Sequence, residues 1–288
     1  MAAEEKNISR ASDRLNVSQP AVSRQIKDLE DELGVQLFIR EPSGLSLTDE
    51  GSAALVHAQQ ILRQSNTMME AMKTLSSREK IYSIKVGFLP TALPGLLTNA
   101  MREFSQTHPD YCVQIFEMSP TRQEEALRKG EINLALIGDP GDNIRREFRV
   151  ETISRTELAM LVPDSHALAR RKSVDLAEFG SDTFVTLHED QFPGRIEMMA
   201  ELFSSAGINP KVAIRATGLS ELLGLIGGGA GVAVAPADLK NLLHPGVAFL
   251  KMRKPSRQLQ FSAVWQEQEA LDGIEALVEG LKAIPNSP

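Results

Sequence analysis

The chain has 288 residues, which suffices for two domains and a small third unit and excludes a single minimal domain. A content of 42% hydrophobic and 24% charged residues excludes a disordered or collagenous chain, and no apolar run is long enough to span a membrane. The net charge of −7 argues, taken globally, against a nucleic-acid partner. The start MAAEEKNISR lacks a secretory signal, and a single cysteine, Cys112, allows no internal disulfide, so the sequence predicts a cytoplasmic protein.

The first fifth of the chain is polarised in charge. Residues 6–27 carry five bases against the single acid Asp13, a local balance of +4, and residues 28–32 carry four acids. Helical periodicity runs through the same stretch, because Ile8, Ala11 and Leu15 share one face of a short helix. The sequence therefore predicts a short helix that carries positive charge.

A second helix follows after a turn at Asn16-Val17. Ser18 is its predicted N-cap, with Pro20 in the first turn and Gly34 as the stop. The spacing of its apolar side chains is 4-3-4, at Val22, Ile26, Leu29 and Leu33. Residues 35–40 and 45–47 flank a segment with hairpin turn chemistry, 41–44, which predicts a small β-wing.

Thr48 caps a predicted long helix whose first turn holds Asp49 and Glu50. A 4-3 alternation predicts a coiled-coil seam of ~30 residues along it, formed by Ala54, Ala58, Ile61, Ser65, Met68, Met72 and Leu75. The polar remainder of the helix favours a partner helix from another subunit. Packing of this helix on its own domain is the open alternative.

Strands alternate with helices beyond residue 83, which predicts α/β domains with largely parallel sheets. We expect two subdomains, with the chain crossing near Thr156 and returning near Ser256, and a closing helix from Glu267 to Ile284 on the first. The predicted strands are 84–88, 112–116, 134–137, 158–162, 183–187, 211–214, 232–235 and 260–264, and the predicted helices are 93–107, 122–130, 195–206 and 219–227.

Enzymatic motifs are weak, so we predict no catalytic residue, metal or cofactor. The five histidines lack metal-ligand spacing, and the nucleophile-elbow, zinc-protease and P-loop patterns are absent from the sequence. His188-Glu189-Asp190 is interpreted as a hinge loop rather than an acid/base pair, and Ser77-x-x-Lys80 as a chance match. The glycines of residues 227–231 end a helix and let a strand pack closely, since their spacing is not the dinucleotide fingerprint.

The second helix carries the strongest functional signal. Gln19, Ser23, Arg24 and Lys27 lie opposite its apolar face, where they can meet phosphates and base edges in a major groove. An ordinary amphipathic helix with a solvated face is the alternative. The short turn, the Ser-Gln-Pro start and the following wing favour DNA binding.

Residues 10–30, 33–38 and 47–51 resemble the winged helix-turn-helix of LysR-type transcriptional regulators, and the resemblance covers essentially the whole chain. Residues 85–88, 130–135 and 228–236 are similar to the characteristic segments of the family's effector-binding domain. The resemblance implies an α/β multidomain protein: a winged helix-turn-helix at 1–50, a linker and dimerisation helix at 51–80, and at 81–288 an effector domain similar to type 2 periplasmic binding proteins. Its implied subdomains are about 81–156 with 257–288, and about 157–256.

The resemblance further implies a regulator that binds a pseudo-palindromic operator in double-stranded DNA as a homodimer or homotetramer, without a membrane partner, and that is switched by a small-molecule effector. The alternative is a small-molecule-binding dimerisation partner with an incomplete DNA-binding module. The implied DNA contacts are Ser18, Gln19, Pro20, Ser23, Arg24, Lys27 and Arg40.

Two departures from the family pattern concern the DNA-binding half. Only Met1–Lys6 stand for the family's first helix, so we expect uncovered apolar faces on the two following helices and hypothesise either a shortened start or weak DNA binding. The wing offers one base, Arg40, which predicts a shallow salt dependence.

Ligands of such α/β folds bind at strand ends and helix N-termini, and two such termini with a candidate arginine predict a small organic anion, a carboxylate, as effector. The effector contacts predicted on this basis and by the resemblance are Thr91, Thr121, Gly138, Phe192, Arg195 and Thr217.

Overall fold

The computed structural model describes residues 1–41, 44–76, 81–242, 244–267 and 272–284, in two compact units, Met1–Ala71 and Met72–Pro288. The predicted turn residues Pro42 and Ser43 and the Ser77-x-x-Lys80 match lie outside the described residues. The side chains of Arg40 and Leu75 also lie outside the described part of the chain.

The first unit contains the predicted helix-turn-helix and wing. Asn16 and Gly34 end the two helices of the helix-turn-helix in left-handed conformations, with φ of 54° and 71°. Thr48 accepts the N–H of Gly51 at 2.8 Å as the predicted cap of the long helix, whereas the side chain of Ser18 makes no capping hydrogen bond. The elements are α1 (Ala2–Glu5), α2 (Ile8–Leu15), α3 (Gln19–Leu33), β1 (Phe38–Glu41), β2 (Gly44–Leu47) and α4 (Asp49–Ser76).

The core of this unit is small. Ala11 and Val22 are buried where α2 and α3 meet. Further along the same predicted apolar faces, Leu15, Leu29 and Leu33 are 44%, 46% and 51% exposed. The apolar stripes of α2 and α3 are therefore only partly covered by the described residues.

The second unit is built on a mixed sheet, so the expectation of largely parallel sheets is wrong. Its order is β4-β3-β5-β12-β6-β11-β7, β10 also pairs with β6, and β8 pairs with β9. β6 and β12 are long neighbouring strands that run in opposite directions, so their pairing is antiparallel. The strands are β3 (Tyr82–Phe88), β4 (Tyr111–Glu117), β5 (Leu134–Gly138), β6 (Arg149–Pro163), β7 (Ser173–Asp175), β8 (Thr183–Leu187), β9 (Lys211–Ala216), β10 (Ala233–Pro236), β11 (Val247–Lys254) and β12 (Gln258–Trp265).

Helices cover this sheet. The predicted helix at 93–107 is regular only from Thr98, because Pro94 and Gly95 have non-helical backbone angles. The closing helix packs as predicted against the first strands, burying Ile274, Leu277 and Leu281. The helices are α5 (Thr98–Thr107), α6 (Pro120–Arg128), α7 (Asp142–Glu147), α8 (Arg195–Ala206), α9 (Leu219–Gly227) and α10 (Asp272–Ala283).

Buried side chains define the two lobes. We call first lobe the part packed around Ile84, Leu134 and Trp265, and second lobe the part packed around Phe184 and Leu223. Each lobe keeps its own apolar core between sheet and helix layers. Within the described residues, no helix has the length and apolar character needed to cross a membrane.

Candidate DNA interface and effector cavity

The start of α3 presents the predicted DNA-contacting side chains. Ser18, Gln19, Pro20 and Lys27 are exposed, and Ser23 is half-buried. Arg24 has an 83% exposed side chain, with the Asp28 carboxylate 3.9 Å away. Such a distant, exposed ion pair leaves the guanidinium available to a phosphate or a base edge.

Arg14 contributes less to the basic patch than a count of charges suggests. Its Nη1 lies 2.7 Å from Oε1 of Glu5 and 3.7 Å from Oε2 of Glu4, on α1. Two carboxylates therefore offset this base within the unit. The effective positive charge of residues 6–27 is centred on the remaining bases.

The wing is held against α3 by an acidic residue. Oε1 of Glu30 accepts the N–H of Leu37 at 2.7 Å and that of Phe38 at 3.1 Å. The Thr48 hydroxyl donates to the Gln36 carbonyl at 2.7 Å at the same open end of the hairpin. The acidic segment that follows the basic patch thus positions the wing, a role that charge counting does not reveal.

A cavity of about 550 Å³ lies between the two lobes of the second unit. Its apolar lining comes from both sides: Leu89, Ile137 and Ile144 from the first lobe, and Leu187, Phe192 and Leu219 from the second. Cavities of this size enclose small organic ligands. The sequence located this cleft through its strand ends and helix starts.

Four of the six predicted effector contacts line this cavity: Thr91, Gly138, Phe192 and Arg195. Thr121 does not, since its N–H donates to the Gln191 carbonyl at 3.4 Å and its hydroxyl is buried without a partner among the described residues. The backbone N–H and the hydroxyl of Thr217 both donate to Oε2 of Glu221, at 2.6 and 2.8 Å. These bonds hold the pKa of Glu221 below its usual value and leave Thr217 outside the lining.

The N-terminus of α8 is already occupied by a carboxylate of the chain. Oε1 of Glu189 accepts the N–H of Gly194 at 2.6 Å, and Oε2 accepts that of Ile196 at 2.8 Å. In the His188-Glu189-Asp190 segment, which the sequence predicts to be a hinge loop, Glu189 caps this helix. An effector anion cannot use these N–H groups unless Glu189 leaves.

Arg195 is the buried cation of the cavity. The residue is 8% exposed, its Nη2 donates to the carbonyl oxygen of Val234, and its Nε is buried without a hydrogen-bond partner in the described chain. Burial, and then the charge of Arg257, lower the pKa of Arg195 to about 10. Nη1 of Arg257 is itself paired with Glu201 at 2.6 Å.

The glycine-rich segment after α9 has the predicted structural role. Gly229 and Gly231 have φ of 80° and 155°, and a Cβ on Gly231 would lie 2.3 Å from the Thr183 carbonyl oxygen. Glycine therefore lets β10 approach β8. The described residues contain no cluster of three metal-ligating side chains, and Cys112 is exposed and free.

Two family models match the chain. Residues 1–52 match the family described as bacterial regulatory helix-turn-helix protein, lysR family, and residues 77–283 match the LysR substrate binding domain. The chain is 27% identical to the HTH-type transcriptional regulator AlsR of Bacillus subtilis (strain 168), covering 99% of this chain and 92% of AlsR. It is 30% identical to the HTH-type transcriptional regulator TfdS of Cupriavidus pinatubonensis, covering 96% and 93%.

Solved structures share the fold across nearly the full length. CbnR, a LysR family transcriptional regulator, is 26% identical with a TM-score of 0.60, covering 97% of this chain and 96% of CbnR. Full-length CbnR complexed with its target DNA has a TM-score of 0.63 at 24% identity, covering 99% and 96%. The helix-turn-helix, the two-lobed domain and the family matches to both together show that the chain belongs to the LysR family of DNA-binding transcriptional regulators with an effector-binding domain.

Proposed function

We propose that this regulator reads a pseudo-palindromic operator with α3 as a homo-oligomer and is switched by a small organic acid bound between its lobes. The observation that carries the effector assignment is the Arg195 guanidinium, which is buried beside the cavity with an unpartnered Nε. A carboxylate supplies the acceptor that this donor lacks. Binding would favour one separation of the lobes over another, which is a population shift without bond chemistry.

The proposed DNA contacts are those at the start of α3, with Arg40 on the wing. Their support is exposure: the side chains of Ser18, Gln19, Pro20, Arg24 and Lys27 are exposed and that of Ser23 is half-buried, whereas the side chain of Arg40 lies outside the described part of the chain. Phosphate contacts from Arg24 and Lys27 would fix the register, and Gln19 and Ser23 offer donors and acceptors to base edges. Ser18 and Pro20, at the start of α3, would contact the DNA backbone.

Association through α4 accounts for its uncovered apolar side chains. Three residues of the predicted seam, Ile61, Met68 and Met72, are each more than half exposed along the described part of this helix. A partner helix from a second subunit would bury them, which favours the intersubunit alternative over packing on its own domain. The proposal is a homodimer or homotetramer.

The proposed boundaries are residues 1–50 for DNA binding, 51–80 for the linker helix and 81–288 for effector binding, with subdomains at about 81–156 with 257–288 and 157–256. We also propose that the protein works in the cytoplasm and catalyses no reaction. The support is chemical: the best acid/base candidate, Glu189, is engaged in capping α8.

A mobility shift with the full chain and the intergenic DNA upstream of its gene tests the regulator. We expect a retarded complex that survives excess unrelated DNA. A thermal-shift screen against small carboxylates, followed by calorimetry on the hits, tests the effector site. Arg195→Ala should weaken a bound carboxylate by about 1.5–3 kcal/mol, and unchanged affinity would remove Arg195 from the site.

One observation favours a second candidate, a small-molecule-binding dimerisation partner that binds DNA poorly. Leu15, Leu29 and Leu33 are exposed on the two helices that must hold the reading surface in place. Absence of a DNA complex, together with a dimer in solution and an intact effector response, would establish this alternative.

A further inference from the structure

Acidic side chains dominate the charge of the cavity between the lobes. Two guanidiniums, Arg195 and Arg257, face five carboxylates, which gives the lining a formal charge of −3. The carboxylates are Glu124, Asp139, Asp142, Glu197 and Glu201. A ligand that carried only negative charge would enter against this field. The lining thus calls for positive charge on the ligand as well as a carboxylate.

Three of the five carboxylates already have partners. Glu201 is paired with Arg257 at 2.6 Å, Glu124 lies 3.8 Å from Arg128, and Oδ1 of Asp139 accepts the N–H of Gln260 at 2.8 Å. Within the described part of the chain, the carboxylates of Asp142 and Glu197 have no hydrogen bond or ion pair. They are the two acids of the lining with their full acceptor capacity unused.

The positions of these groups separate the two charges. Asp142 opens α7 on the first lobe, and Glu197 lies in the first turn of α8 on the second. Arg195 is 8% exposed, with a buried and unpartnered Nε, so it can receive a carboxylate. Apolar side chains such as Leu89, Ile137 and Phe192 complete the lining and suit a carbon body that joins the two charged ends.

We propose that the effector is a zwitterion of the aminocarboxylate class, whose carboxylate binds Arg195 and whose ammonium group binds Asp142 and Glu197. This inference rests on the carboxylate site proposed above and adds the second charge. Because the two acids belong to opposite lobes, an ammonium group that binds both would hold the lobes together. The aminocarboxylate would then favour the closed arrangement more than a simple acid does.

Matched sets of three compounds test the proposal on the full-length protein by calorimetry. Each set contains an apolar L-amino acid, the acid that lacks its amine and the amine that lacks its carboxylate. One set is phenylalanine, 3-phenylpropanoate and phenethylamine, and another is leucine, 4-methylpentanoate and 3-methylbutylamine. All apolar amino acids are screened. We expect at least one to bind about tenfold or more tightly than its matching acid and its matching amine, because one charge-assisted hydrogen bond changes the affinity by about that factor.

Variants identify the groups responsible. Asp142→Asn and Glu197→Gln should each lower the affinity for the amino acid by about fivefold or more. The affinity for the matching acid should stay the same or rise, since each substitution removes a negative charge from the cavity. Glu103→Gln on the exposed face of α5 is the control for an equal change of net charge and should alter neither affinity.

The possible failures separate the two proposals. Acids that bind as tightly as their amino acids, and that lose affinity in Arg195→Ala, would overturn the zwitterion and keep the carboxylate site. Ligands whose affinity is the same in Arg195→Ala would overturn both the carboxylate site and the zwitterion. A complete absence of binding by acids and amino acids would also overturn both. Equal losses for acid and amino acid in Asp142→Asn and Glu197→Gln would overturn the ammonium site.

Discussion

The hydroxyl of Ser119 donates to Oε1 of Gln191 at 2.7 Å, although the two residues lie in different lobes. Ser119 is the N-cap of α6 in the first lobe, and Gln191 belongs to the loop before α8 in the second. The neighbouring Thr121 N–H donates to the Gln191 carbonyl at 3.4 Å. This pair of bonds ties the walls of the cavity together at one point, and Pro120 and Phe192, beside them, line the cavity itself.

Removal of either side chain should loosen this connection. Ser119→Ala and Gln191→Ala should each lower the free energy of unfolding by about 0.5–1.5 kcal/mol, the net value of a side-chain hydrogen bond. The double variant should lose less than the sum, because the second substitution finds no bond to break. Urea titrations of the three variants provide the measurement, and strictly additive losses would show that the bond contributes nothing in solution.

The boundaries of the two helices of the helix-turn-helix could be predicted from sequence. Helix spacing, the turn at Asn16 and the stop at Gly34 are local signals, so the boundaries of α2 and α3 agree with expectation within a residue. The roles of Glu30 and Arg14 were not predictable, because each depends on a partner on another element.

The cavity was predictable in place and only partly in detail. Strand ends and helix starts pointed to Thr91, Phe192 and Arg195, which line it. The capping by Glu189 and the Ser119–Gln191 bond were missed, since they depend on loop geometry and on residues 72 apart in the chain. Parallel sheets were expected from the strand and helix alternation, which cannot show that β6 and β12 run in opposite directions.

Arg195 should reduce stability in the absence of ligand. Its pKa is lowered to about 10 by burial, so the folded state bears the cost of a desolvated charge at every pH below about 10. The cost fades as the pH rises from that value toward the ordinary pKa of arginine. Arg195→Met removes the charge and keeps an apolar side chain. At pH 7 it should raise the free energy of unfolding by about 1–3 kcal/mol while it weakens carboxylate binding as Arg195→Ala does.

The control for this substitution is Arg102→Met, on the exposed face of α5, which should change the free energy of unfolding by less than about 0.5 kcal/mol. Denaturant titrations at pH 7 and at pH 10.5 compare the variants. The gain from Arg195→Met should shrink at the higher pH. A destabilised Arg195→Met protein at pH 7 would show that the bond to the Val234 carbonyl outweighs the cost of burial.

Two glycines of the effector domain should respond in opposite ways to the same substitution. Gly231→Ala places a Cβ 2.3 Å from the Thr183 carbonyl oxygen at a φ of 155°, and should lower the free energy of unfolding by about 2–4 kcal/mol. Gly280→Ala, in α10 with no atom within 4 Å of the added Cβ, should raise it by about 0.5–1 kcal/mol. Thermal unfolding measures both, and a tolerated Gly231→Ala would contradict the close approach of β10 and β8.

Glu30 should support DNA binding despite its negative charge. Glu30→Ala removes the acceptor of the Leu37 and Phe38 N–H groups, so the wing should lose its position and DNA affinity should fall. Glu32→Ala removes the same charge from an exposed position on α3 and should leave affinity equal or higher. Fluorescence anisotropy with a labelled duplex compares the two variants. Equal increases for both would show that Glu30 acts only through its charge.

Arg24 and Arg14 should differ in the salt dependence of DNA binding. Arg24 is exposed and only loosely paired, at 3.9 Å from Asp28, whereas Arg14 is held by Glu5 at 2.7 Å. Arg24→Gln should therefore flatten the slope of log K against log salt by about one unit, the contribution of one phosphate contact, and Arg14→Gln should leave the slope unchanged. Anisotropy titrations of a duplex of unrelated sequence at several salt concentrations measure this slope without the contribution of base contacts. A flattened slope in Arg14→Gln would mean that Arg14 leaves Glu5 to reach a phosphate, and the basic patch would then be larger than the free protein shows.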